Sequence, residues 1–146
     1  MRHAIPEALD LIRKFEGFSE KMYLCPAGYL TVGYGHRVKI SEKERFAAGI
    51  TEPEAADVLK QDVMVAEQAV LRLISVPLTD GQFGALVSFT YNLGAGALQR
   101  SALRQKVNRQ EYTEVPAEFM KWVWAKGKKL KGLIERRAAE TLLYQS

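Results

Sequence analysis

The chain has 146 residues, of which 47% are hydrophobic and 26% charged, the balance of a globular protein rather than a disordered one. A single cysteine, Cys25, excludes an internal disulfide framework, and two histidines argue against a His-based metal cluster, so no cofactor or metal is expected. The net charge of +4 is uneven, with −1 over residues 1–75 and +5 over residues 76–146, which suits an anionic partner for the C-terminal half.

Ile5, Ala8, Leu9, Ile12 and Phe15 recur at three- and four-residue intervals, which predicts a helix over 4–15 ended by Gly17. Met1–Glu7 has no apolar stretch of the kind an ordinary secretion signal needs. No apolar run approaches the ~18 residues of a membrane span, so stable insertion is not expected. Residues 18–35 change character: Tyr23, Tyr29, Thr31, Val32 and Tyr34 favour strands, while Gly28, Gly33 and Gly35 break helices. Cys25-Pro26-Ala27-Gly28 fits a type I turn, so the segment reads as an antiparallel hairpin, 18–24 against 29–35.

Thr51-Glu52-Pro53-Glu54 is a capping box with Pro in the first turn, opening a helix predicted to about residue 74 and about 36 Å long. Thr79-Asp80-Gly81-Gln82 is a second capping box, opening a helix over 80–92. Asn92–Gly96 is a break. Shorter helices are predicted near 100–109, 114–126 and 133–144, with the basic segment 127–132 as a loop. The order of elements is that of an α+β protein: a small antiparallel sheet lobe over about 15–50, a long connecting helix over about 52–74, and a helical lobe over about 76–146 completed by the N-terminal helix. A cleft between two such lobes is a natural ligand site.

Glu16 is the first candidate for chemistry. A carboxyl beside Phe15 at a helix end suits proton donation, and its position opposing the helix dipole mildly favours a functional reason. A solvated helix-end glutamate is the plain alternative. Asn92 is an amide at a chain break, suited either to contacting a polar substrate or to capping a helix. In the predicted helix over 114–126, Trp122 and Trp124 point to different faces, so one is expected in the core and the other, Trp124, exposed as a platform for a ligand. Lys126, Lys128, Lys129 and Lys131 form a basic run, ordinarily solvated and otherwise suited to anionic wall or membrane groups.

Phe15-Glu16-Gly17-Phe18, Tyr23 and Gly28-Tyr29-Leu30-Thr31-Val32-Gly33-Tyr34-Gly35-His36 resemble the N-terminal signature of the bacteriophage-type lysozymes, glycoside hydrolase family 24, the endolysins of phages and prophages. Gln61-Asp62-Val63, Val76–Phe89, Asn92–Gly96 and Gly132–Glu140 are similar to the family's later motifs, so the likeness runs along nearly the whole chain. It implies a single lysozyme-like domain, 1–146, and a muramidase that cleaves the β-1,4 bond between N-acetylmuramic acid and N-acetylglucosamine in peptidoglycan without a cofactor. It implies Glu16 as general acid and Thr31 as the residue that helps hold water. The family's aspartate position is occupied here by Cys25. Glycoside hydrolysis needs a second group to activate water or attack the sugar, and a cysteine does so as a thiolate.

Several readings of Cys25 stay open: a working base or nucleophile, a weakened but tolerated replacement, or the mark of a peptidoglycan-binding protein with little or no hydrolysis. A small buried hydrophobe is the bland reading, against which its placement in the signature argues. The family pattern also places an acid at Asp62, and His36 is expected to pair with it. The expected partners are peptidoglycan glycan strands, with a holin needed indirectly for export. The expected location is the bacterial host cytoplasm, with action on the wall after release through a membrane lesion, as a monomer. No recognised nucleic-acid motif accompanies the basic half, so nucleic acid is not expected.

Overall fold

The computed structural model describes residues 1–146 and contains eight α-helices and two small antiparallel sheets. No helix is long and apolar enough to cross a membrane. The chain divides into two compact units, Arg13–Val63 and Met1–Ile12 with Met64–Ser146, so the boundaries fall inside helices α1 (Pro6–Glu16) and α3 (Glu52–Leu73).

The unit Arg13–Val63 is built on β1 (Ser19–Leu24), β2 (Leu30–Gly33) and β3 (His36–Arg37), in the order β1-β2-β3. The hairpin register pairs Tyr23 with Thr31 and Leu24 with Leu30, and an irregularity lies between Ser19 and Tyr23. The third strand and the helical stretch after it, a 3-10 turn over Ile40–Glu42 and α2 (Lys43–Phe46), go beyond the sequence reading. Val32, Phe46, Ile50, Ala55, Val58, Leu59 and Val63 form its core. At the start of α3, Thr51 and Glu54 bond reciprocally: the Glu54 N–H donates to Thr51 Oγ1 at 3.3 Å, and the Thr51 N–H to Glu54 Oε1 at 3.4 Å. At 22 residues α3 is about 33 Å long.

The other unit centres on α4 (Asp80–Leu93), whose Phe83, Leu86, Val87 and Phe89 are fully buried. Thr79 caps it by accepting the Gln82 N–H at 3.1 Å. Gly84 lets α1 approach closely, since a Cβ there would lie 2.8 Å from that of Ala8. Gly94, with φ of +95°, ends α4, and α5 (Ala95–Arg100) begins at once, so the expected break is one residue long. Ser101 then caps α6 (Ala102–Asn108).

The helix expected over 114–126 is instead the short α7 (Val115–Phe119). The chain then forms β4 (Trp124–Ala125) and β5 (Lys128–Lys129) around Lys126 and Gly127, both at positive φ. Two successive positive φ values are what a tight two-residue hairpin requires, and the glycine supplies the second without strain. Trp122 and Trp124 are therefore not on a helix. Trp122 packs edge-on against Phe89 at 5.5 Å, and Trp124 is exposed with Lys129 over its ring. The last helix, α8 (Lys131–Gln145), packs against α4.

Candidate active site

Glu16 is the last residue of α1 and is half-buried. Gly17 stops the helix at φ of +73°, its N–H returning to the Arg13 carbonyl at 3.0 Å. The turn between β2 and β3 supplies the other wall. Gly35, at φ of +82°, passes so close to the carboxyl that a Cβ there would lie 2.9 Å from Glu16 Oε1. A glycine is needed twice over, for backbone angle and for room.

Cys25 opens the turn between β1 and β2. The Gly28 N–H donates to the Cys25 carbonyl at 2.8 Å, and the Cys25 N–H to the Tyr29 carbonyl at 2.9 Å. The Tyr29 N–H points back at the sulfur, 3.4 Å from Sγ. The thiol is half-buried and sits below its ordinary pKa because of that Tyr29 N–H, helped by the Ala27 and Gly28 amides and opposed by partial desolvation. Backbone donors near the sulfur favour its anionic form in the way an amide nest favours an anion. Thr31 is buried, and its Oγ1 donates to the same Tyr29 carbonyl at 2.8 Å. Cys25 and Thr31 are therefore brought together through the main chain of Tyr29, a residue the sequence reading treated only as a strand former.

His36 faces two carboxylates. Its Nδ1 lies 2.8 Å from Asp62 Oδ2 on α3, and its Nε2 lies 3.1 Å from Glu42 Oε1. Each ring nitrogen thus faces a carboxylate oxygen from a different element, α3 on one side and the 3-10 turn on the other. Glu42 was missed from sequence because a 3-10 turn, not a periodic helix, returns it to the histidine. Its carboxyl is held below the ordinary range, first by the Lys39 N–H at 3.0 Å and then by His36. Burial pushes Asp62 the other way, against the pull of His36.

A depressed carboxyl contributes stability that is fully present above its unfolded value, near 4.5, and is lost as pH falls through the lower folded value. Glu42→Ala is therefore expected to cost about 1 kcal/mol at pH 7. The gap to the wild type should close as the pH drops below 4.5 in urea melts. A gap of constant size from pH 7 to pH 3 would show that the carboxylate charge is not what Glu42 contributes.

Asn92 lies on α4 in the other unit, where its Oδ1 accepts from Arg137 Nη2 at 2.8 Å. Arg137 is wholly buried, and its Nε and Nη2 reach Glu140 Oε1 and Oε2 at 2.6 and 3.0 Å. Glu140, also wholly buried, accepts from Ser88 Oγ at 2.6 Å and from Arg136 Nε at 3.4 Å. Burial pushes the Glu140 carboxyl up while the Arg137 and Arg136 guanidiniums pull it back. The sequence reading held these residues only as part of a motif. The available signal was two arginines followed at helical spacing by an acid in a segment otherwise needed for packing.

The phage lysozyme family model matches residues 13–140. An endolysin of Acyrthosiphon pisum secondary endosymbiont phage 1 is 38% identical, with 99% of each chain covered. A SAR-endolysin of Escherichia phage Mu is 36% identical over 88% of this chain and 73% of its own length. Among solved structures, the muramidase domain of SpmX from Asticaccaulis excentricus superposes with a TM-score of 0.87 at 32% identity, covering 99% of each chain.

Proposed function

The chain belongs to the phage lysozyme family, as an endolysin-type enzyme that acts on the cell wall, and from that premise we propose that it hydrolyses the β-1,4 bond between N-acetylmuramic acid and N-acetylglucosamine. Glu16 gives its proton to the glycosidic oxygen as the bond to the anomeric carbon breaks. The Cys25 thiolate takes a proton from a water molecule held with the help of Thr31, and the hydroxide adds to that carbon. Asn92, with its carbonyl oxygen already committed to Arg137, offers its amide N–H groups to the sugar. His36 and Asp62 hold the third strand and α3 in register. The observation that carries this reading is the sulfur set among amide donors, with Thr31 tied to the same Tyr29 carbonyl.

A muramidase releases new muramic acid reducing ends from purified sacculi; wall binding without new ends would instead make the protein a non-hydrolytic binder, the reading that a cysteine in the aspartate position also supports. Alkylating Cys25 is expected to lower the rate at least about a hundredfold, the lower end of base catalysis, and Cys25→Asp to stay active and resist the alkylating agent. An alkylated protein at full rate would remove the thiolate from the mechanism.

The chain acts, on this reading, as one lysozyme-like monomer that accumulates in the host cytoplasm and reaches the wall through a holin lesion. The SAR-endolysin name of the Mu relative describes a different route for that protein. Fractionating expressing cells with and without a holin separates the two: cytoplasmic protein and holin-dependent lysis are expected, and lysis without holin would overturn the route.

A further inference from the structure

The sheet face that carries Thr31 also carries a cation. Tyr23 is paired with Thr31, and Thr31 with Arg37, and directly paired residues of an antiparallel ladder project to the same face. Tyr29, two residues before Thr31, joins them by alternation. The Arg37 guanidinium lies over the Tyr29 ring, 3.9 Å from its centroid. No carboxylate pairs with Arg37, and both side chains are exposed. Tyr29 is the residue whose main chain supports Cys25 and Thr31, so one residue is both the prop of the proposed catalytic pair and the platform for a fixed guanidinium.

A guanidinium stacked on a ring keeps its charge and leaves its N–H edge pointing sideways, a geometry suited to gripping a planar carboxylate with two parallel hydrogen bonds. The polymer attacked by a muramidase offers that group beside every second sugar, since the lactyl ether of muramic acid bears a peptide with free carboxylates. We propose that Arg37, held on Tyr29, is a carboxylate-recognising subsite for the acidic stem of the muramyl residue. The inference rests on the muramidase reading and deepens it. The enzyme then distinguishes a peptide-bearing muramyl strand from a neutral amino-sugar polymer at the edge of the sheet, before any bond is broken. Arg37 is here a specificity-determining residue and takes no part in proton transfer.

Amidating the carboxylates of purified sacculi with methylamine and a carbodiimide gives a matched neutral substrate. Reducing-end release and co-sedimentation are then measured on native and amidated sacculi at low salt. The wild type is expected to lose about tenfold in kcat/KM and in wall affinity on amidation, the size of one charge-assisted bidentate contact at a half-open site. Arg37→Gln is expected to lose that tenfold on native sacculi and to be indifferent to amidation. Arg37→Lys, which keeps the charge without the fork, falls between them. Arg109→Gln removes an exposed cation from the other unit and should retain the wild-type ratio.

A wild type insensitive to amidation overturns the proposal. So does an Arg37→Gln protein with the wild-type ratio, or an Arg109→Gln protein that loses the ratio equally, which would mark a diffuse charge effect. If the wild type releases no reducing ends at all, the muramidase reading fails, and the co-sedimentation ratio still judges Arg37 separately.

Discussion

Glu16→Gln is expected to lower reducing-end release from sacculi by about 10²–10⁴-fold, the range supplied by a positioned general acid. Glutamine has the same length and fills the same space under Gly35, so the loss reports the missing proton rather than a changed shape. Co-sedimentation with walls should persist, because the interactions that hold the glycan do not depend on that proton. Glu16→Asp separates chemistry from geometry. It keeps the acid but withdraws it by one methylene from the wall that Gly35 forms, and a displacement of ~1 Å costs on the order of 10²-fold in a positioned reaction. A Glu16→Gln enzyme within threefold of the wild type would assign the donor role elsewhere.

The largest expected loss of stability belongs to a different place. Glu140→Ala removes the carboxylate that contacts Arg137 at 2.6 and 3.0 Å, both groups being inaccessible to solvent. The buried guanidinium cannot shed its charge readily and keeps only the Asn92 and Trp122 oxygens as partners. Breaking such a pair from one side costs about 3–5 kcal/mol, a large part of the stability of a small domain. The urea midpoint should fall accordingly, with the slope of the transition unchanged. A double variant, Glu140→Leu with Arg137→Leu, should recover part of the loss, since it removes the Arg137 charge together with its partner, while the buried Arg136 still loses Glu140. It should not recover all of it, because Arg137 also holds Asn92 Oδ1 and donates to the Trp122 carbonyl at 3.3 Å. A Glu140→Ala protein destabilised by less than about 1 kcal/mol would mean that the cluster relaxes or admits water.

The elements legible in the sequence are those written in local code. The first helix, the hairpin around Cys25 and the capped starts of α3 and α4 depend on side-chain period, on glycine at a turn, and on a hydroxyl three residues from an amide. The hairpin at Trp124–Lys129 was read as helix and loop because its apolar spacing suits both, and the deciding positive φ of Lys126 is not a residue type that announces itself. Glu42 meeting His36, and Glu140 meeting Ser88 across 52 residues, depend on tertiary packing that no local window contains.

Around the proposed catalytic residues the limit was different. Glu16, Cys25 and Thr31 came from a resemblance, with Glu16 also visible as a carboxyl at a helix end. Tyr29 acts on Cys25 and Thr31 through its backbone N–H and carbonyl, and main-chain atoms are the same at every residue, so nothing in the letter of position 29 reveals that role.

The close passage of Gly35 over the acid ties two distant kinds of order together. The carboxyl sits where the end of a helix meets the bend of a ribbon, and both confine it. Substitutions that merely slacken the ribbon are thereby felt at the proposed proton donor. On that proposal, the tolerance of this small sheet to evolutionary drift is set by catalysis as much as by folding.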